Sequence, residues 1–189
     1  MSTTSSSITF DQFERLDLPK GHIWELHRGE LVELPPPSFL HKLIQKRLEK
    51  LLEPLFKGRA IILQEMAYSR KDARDDYRLA DLGVLAIHRE PERRERIVYG
   101  APEFVIEVLS PSNTVTEMNE RKTVCAQEGG ELFWIVDPDQ LEVTAVDLKD
   151  PRIERKYVGE ATVPIRVLGV ETELSVQAIF DEICLDRAD

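Results

Sequence analysis

Apolar residues at Leu40, Leu43, Ile44, Leu48, Leu51, Leu52 and Leu55 recur at helical spacing and predict an amphipathic helix of about four turns. Its other face carries Lys42, Gln45, Lys46, Glu49 and Lys50 and is expected to point outward. Before it, "HIWELHRGELVEL" holds two β-prone runs split at Gly29, which predicts a hairpin. A polar tail over 1–8 precedes this hairpin, with a short helix capped by Thr9 in "TFDQFERL". Further on, "AIILQEMAYS", "RLADLGVLAI", "EFVIEVL" and "ELFWIVDPD" read as strands. "RLADLGVLAI" and "EFVIEVL" are nearly continuous apolar runs, as expected when both faces of a sheet are covered.

The segment from Val115 to Gln127 predicts a second helix, with Val115, Met118, Cys125 and Ala126 on one face and "EGG" stopping it. "LEVTAVDL" returns as a hairpin partner, "RIERKYV" and "TVPIRVL" read as edge strands, and "SVQAIFDEI" as a closing helix capped by Ser175. Hairpins followed by a crossover helix predict an α/β or α+β fold with a central mixed β-sheet flanked by helices. At 189 residues the chain is sized for a single domain over 9–189, burying roughly 70% of its unfolded surface.

Charge enters this picture twice. The formal net charge of −10 repels a polyanion at long range and argues against a nucleic-acid coat protein. Basic residues nevertheless cluster at Lys42, Lys46 and Lys50 and at Arg93, Arg94 and Arg96, so a locally positive face is compatible with an acidic total. Two cysteines, Cys125 and Cys184, make no disulfide framework and lack the nearby histidines of a structural zinc site, which fits a reducing, cytoplasmic compartment. The opening "MSTTSSS" has no basic or apolar leader region, and no segment approaches the ~18 apolar residues of a membrane span.

Two charges interrupt the apolar strands. Glu107 stands within Phe104, Val105, Ile106, Val108 and Leu109, and Asp81 within "RLADLGVLAI", where alternation sets it beside Leu79, Leu85 and Ile87. An unpaired carboxylate in an apolar interior costs several kcal/mol or more. If the two strands are neighbours, the acids converge and call for a cation, and Mg²⁺ or Mn²⁺ suits a pair of hard oxygen ligands. Such an ion serves phosphodiester hydrolysis. A cation beside the nucleophile also helps, but Leu109 occupies the place where the same strand would carry it. On the following helix, phase places Lys122 near the centre of the inner face and Arg121 about a quarter-turn away.

With these residues named, the chain resembles the Uma-two-type family of restriction endonucleases within the PD-(D/E)XK nuclease superfamily. "WELHRGELVELPPPSFLH" is similar to the family's opening hairpin and first long helix, "ADLGVL" to its Pro-Asp strand, "YGAPEFVIEVLSPSN" to its Glu strand, and "ELFWIVDPD" to its closing strand. The resemblance spans about 23–146. It implies a restriction-endonuclease-like sheet, DNA as substrate, a divalent metal, and Asp81 and Glu107 as its ligands. Glu30 and His41 fall on motif positions and are carried as second-rank site residues. Ala80 replaces the motif's proline. Counting from Glu117 and Gly129 puts the family's helix lysine on Arg121, whereas helical phase favours Lys122; both are retained as catalytic candidates, Lys122 first. A homodimer is expected, because two cuts in a duplex suit two-fold symmetry. The alternative reading is a catalytically inactive nuclease-fold module that binds DNA or protein, favoured by the displaced lysine, the acidic balance and the few aromatics.

Overall fold

The computed structural model describes residues 7–72, 74–92 and 97–181. Helix α1 (Phe10–Phe13) is closed by a capping box between Thr9 and Gln12. Strands β1 (Ile23–His27) and β2 (Glu30–Leu34) form the N-terminal antiparallel hairpin. Its two-residue turn has Arg28 at φ 52° and Gly29 at φ 83°, a type I′ geometry whose twist matches that of the flanking strands. Helix α2 (Phe39–Phe56) starts at Ser38, whose side chain accepts the His41 amide. It buries Ile44, Leu48 and Leu52, as its spacing predicts, and Phe56 beyond them.

The main sheet follows the order of the chain except for one short strand, which lies at an edge. Strands β3 (Ala60–Ser69) and β4 (Arg78–Ala86) are antiparallel, and the short β5 (Val98–Tyr99) lies parallel to β3 at the edge. Strand β6 (Phe104–Val108) pairs antiparallel with β4 and parallel with β7 (Leu132–Asp137). That parallel pair requires a crossover, which helix α3 (Val115–Gln127) supplies. Strands β8 (Glu142–Asp147) and β9 (Glu154–Val158) complete a mixed seven-stranded sheet of order β5-β3-β4-β6-β7-β8-β9. Strands β10 (Thr162–Val167) and β11 (Val170–Ser175) form a separate hairpin, and helix α4 (Val176–Phe180) follows it. "TVPIRVL" is therefore no edge of the main sheet: it pairs with "VETELS", a strand the pattern does not signal.

The pleat explains the two cores. Phe104, Ile106 and Val108 point to one face, where α2, α4 and the β10–β11 hairpin pack, and Phe104 meets Trp134 edge-on with ring centroids 5.0 Å apart. Val105 and Phe133 point to the other, against Val124 and Cys125 of α3. All five residues of β6 are buried, the double coverage its apolar run implies. Three expectations fail at surface positions, the first at Leu43, which the apolar spacing of α2 includes and which is exposed. Val115 is 80% exposed at the first turn of α3, and Ile87 leaves β4 for an exposed 3₁₀ turn. Among the described residues no helix is long and apolar enough to cross a membrane. Arg93, Arg94, Arg96 and Cys184 lie outside the described residues.

Helix α3 begins with Thr114 accepting the Glu117 amide while Glu117 accepts the Thr114 amide. Replacing Thr114 by Ala removes one half of that exchange and is expected to destabilise the fold by about 1 kcal/mol. The corresponding fall in Tm is about 2–4 °C for a chain of this size, measured by thermal denaturation. An unchanged Tm contradicts the role given to the cap.

Candidate active site

The ladder between β4 and β6 pairs Val84 with Phe104, Gly83 with Val105 and Leu82 with Ile106. One further step places Asp81 opposite Glu107, and there the ladder opens. The Val108 amide donates to Asp81 Oδ2 at 2.8 Å rather than to a backbone carbonyl. The two acids that interrupt the apolar runs are thus brought together by register, at the end of a pairing that buried residues hold in place.

The sheet is distorted at this level. Glu65 of β3 has φ 51°, and on either side of it Gln64 turns to Glu49 of α2 while Met66 joins the core against α3. On β4, Ala80 and Leu82 likewise belong to opposite cores. Simple alternation is broken around Asp81, whose carboxylate reaches toward α2. Gln45 Nε2 donates to the Asp81 carbonyl at 2.9 Å and to Oδ1 at 3.3 Å, and His41 Nε2 lies 3.1 Å from Oδ1. Helical phase assigns Gln45 to the outward face of α2, yet it is fully buried; the polar atoms of Asp81 draw it inward. His41, a second-rank candidate, stands in the site, with Nδ1 buried and without a hydrogen-bond partner.

Glu107 points the other way, toward α3. Its Oε1 is buried and has no hydrogen-bond partner, and the nearest guanidinium nitrogen, Arg121 Nη1, is 3.6 Å away, beyond hydrogen-bonding range. Burial pushes the Glu107 carboxyl well above the usual carboxylate range, Asp81 and Glu25 push it further, and Arg121 opposes them. Arg121 Nη2 bonds Glu25 Oε2 at 2.7 Å, and Nη1 donates to the Leu79 carbonyl at 3.1 Å. Burial works against the Arg121 charge, but Glu107 and Glu25 outweigh it.

Arg121 and Lys122 are successive residues on one helix and so diverge by about 100°. Arg121 turns toward β1 and β4, while Lys122 bonds Asn119 Oδ1 at 3.1 Å and pairs with Glu154 on β9, the far edge of the sheet. Helical phase correctly marks Lys122 as a buried position, but its ammonium faces away from the two acids; the residue turned toward Glu107 is Arg121. Glu30 is exposed at the start of β2 and does not line the cleft. The cleft, of about 280 Å³, is lined by Asp81, Glu107, His41, Glu65, Arg121 and the Ser110–Asn113 turn, with prolines 35–37 at its rim.

Glu25 is the residue that sequence reasoning misses. Between Trp24 and Leu26, alternation sends it to the opposite face, which in an isolated hairpin is solvent. In the folded chain it is fully buried. Its Oε1 accepts the Leu79 amide at 2.8 Å, and its Oε2 accepts from Arg121 and contacts His27 Nε2. Burial pushes its pKa up, but Arg121, His27 and the Leu79 amide prevail and hold it at about 2, below the ordinary 4.5. A carboxyl with a lowered folded pKa stabilises fully above its unfolded value and loses that contribution as pH falls toward the folded value. Glu25 is therefore expected to contribute on the order of 3 kcal/mol at neutral pH, lost between pH 4.5 and 2. Acid unfolding followed by circular dichroism should be less steep in Glu25→Gln over that window. Equal slopes would remove the assigned charge.

Comparison with known proteins agrees with this architecture. Residues 10–177 match the model of the Uma2 family, described as "putative restriction endonuclease". A solved structure from Anabaena variabilis, described as a "putative nuclease belonging to DUF820", superposes with a TM-score of 0.79 at 24% identity, covering 92% of this chain and 97% of that one. At that identity the likeness carries the fold, here a mixed sheet with flanking helices and an N-terminal hairpin. No curated protein matches the sequence significantly. The family match spans most of the chain, from α1 into α4, and includes every residue of the cleft: this protein belongs to the Uma2 family of nuclease-like proteins.

Proposed function

We propose that this protein is a metal-dependent endonuclease that hydrolyses DNA phosphodiester bonds, with Asp81 and Glu107 as ligands of Mg²⁺ or Mn²⁺. The observation that carries this reading is that Asp81 and Glu107 line one cleft at the open end of the β4–β6 ladder, where Glu107 Oε1 is buried without a hydrogen-bond donor. An orphaned carboxylate oxygen in a cleft that a second carboxylate also lines offers hard-oxygen donors, and Mg²⁺ is commonly held by one or two carboxylates together with water and substrate phosphate. Among the described residues no three His, Cys, Asp or Glu side chains form a metal cluster, so the remaining ligands in this reading are solvent and phosphate oxygens. A divalent ion in such a place offsets phosphoryl charge and makes a neighbouring water more acidic.

The protein's own groups divide the remaining work. Gln45, His41 and the Val108 amide fix the Asp81 carboxylate and leave it partly open to the cleft. Arg121 presents a permanent positive charge to the anion that develops on phosphorus; it stabilises charge and does not shuttle a proton. Lys122 in this reading fastens α3 to β9, and Glu30 takes no part. Of the basic α2 positions, Lys46 and Lys50 are exposed and Lys42 pairs with Glu65 at the cleft, offering phosphate contacts despite the acidic total. A homodimer making paired cuts in the cytoplasm completes the proposal.

A second reading, a catalytically inactive nuclease-fold module that binds DNA or protein, is favoured by one observation: the cation nearest Glu107 is an arginine already engaged by Glu25. The two readings separate on the same material. With Mg²⁺ or Mn²⁺ the intact protein is expected to nick supercoiled DNA, and Asp81→Ala and Glu107→Ala are each expected to slow this at least about 100-fold while keeping a native circular dichroism spectrum. A wild-type protein that cuts no DNA, or alanine variants as fast as wild type, sinks the endonuclease reading. Calorimetry provides an independent check: a Mn²⁺ isotherm abolished by Glu107→Ala supports a metal centre, and its absence in wild type favours the binding module.

A further inference from the structure

One guanidinium, Arg121, faces two buried carboxylates, Glu25 and Glu107, and the Asp81 carboxylate lines the same cleft as Glu107. The distribution of that guanidinium is uneven. It makes a 2.7 Å bond to Glu25 and a 3.1 Å bond to the Leu79 carbonyl, but stands 3.6 Å from Glu107. Arginine and carboxylate readily form a two-pronged pair that occupies both oxygens. Had Arg121 formed it with Glu107, both oxygens would carry a guanidinium N–H and a positive charge beside them, and a second cation would have to compete with it.

We propose that Glu25 is a positioning residue that withholds Arg121 from Glu107, so that Glu107 keeps an oxygen free for a divalent cation while the guanidinium charge stays beside the cleft. This rests on the metal-binding reading given above. Glu25 is well placed for the task, because both of its oxygens are anchored. One accepts the Leu79 amide, two residues from Asp81, and the other accepts Arg121. The backbone of the next residue is tied down as well: Leu26 and Tyr77 exchange hydrogen bonds of 2.8 and 2.9 Å, which clamp β1 to the entrance of β4. Glu25 cannot drift with its hairpin, and Arg121 is held at a set distance from Glu107. The low pKa of Glu25 keeps it ionised at neutral pH. The N-terminal hairpin thereby becomes part of the site without touching a ligand.

The test is Mn²⁺ titration calorimetry at neutral pH on the full chain as wild type, Glu25→Gln, Arg121→Gln and the double variant. In Glu25→Gln the guanidinium is released to Glu107, and Mn²⁺ affinity is expected to fall at least about 10-fold; in the Arg121→Gln background the same change should alter it less than about 3-fold. A merely structural or long-range role of Glu25 weakens binding equally in both backgrounds, and that result overturns the proposal. So does a Glu25→Gln affinity within about 2-fold of wild type. If Glu25→Gln does not fold, Glu25→Asp, which keeps the charge but draws it back by one methylene, should weaken Mn²⁺ in the same direction and only when Arg121 is present; unchanged affinity again overturns the proposal. A wild-type protein with no Mn²⁺ isotherm removes the metal reading and this one together, whereas a wild-type isotherm that Glu25→Gln leaves intact removes only the positioning role.

Discussion

Arg121 is the interaction on which the site depends. Its guanidinium joins four separate stretches of chain: α3, from which it comes, Glu25 on β1, the Leu79 carbonyl on β4 and, at longer range, Glu107 on β6. A buried ion pair of this kind is not a large net source of stability, because desolvation offsets most of the Coulombic gain, but deleting one partner leaves an uncompensated charge and costs roughly 3–5 kcal/mol. Its value is specificity of arrangement. With Arg121 in place, the hairpin, the crossover helix and the two central strands have one mutual orientation that satisfies the buried charges.

The second constraint is register. Because side chains alternate with period two, the apolar residues of β6 can fill both cores only if Phe104, Ile106 and Val108 face α2 and Val105 faces α3. That choice fixes Glu107 on the α3 side. Pairing Leu82 with Ile106 then fixes Asp81 opposite it. The distortion at Glu65 and Asp81 lets one acid reach toward α2 and the other toward α3 while both line one cleft. Packing and chemistry are thus coupled through the same few residues, and a slip by one position would put Glu107 into the apolar layer beneath α2.

Much of this was legible beforehand. The long helix, the crossover helix, the double-sided strands and the N-terminal hairpin follow from periodicity and turn residues, and the short terminal helices from caps at Thr9 and Ser175, because these signals are local in sequence. Asp81 and Glu107 stood out because a charge inside an apolar run is anomalous wherever the run ends up. Glu25, Gln45 and the pairing of β10 with β11 were not legible. Glu25 and Gln45 look like ordinary surface residues in their own elements, and each is buried by a segment distant in the chain: Glu25 by β4 and α3, Gln45 by β4.

The choice between Arg121 and Lys122 marks the same boundary. Sequence by itself determined that a basic residue of α3 turns inward, since helical phase is a local property. It could not determine which one meets the acids, since that depends on the direction in which α3 crosses between β6 and β7. The tertiary structure decided it: Glu25 draws Arg121 toward β1 and β4, and Glu154 draws Lys122 toward β9. The periodicity of one helix carries information about burial, but the identity of what lies opposite comes from other segments, and only their packing brings that information together.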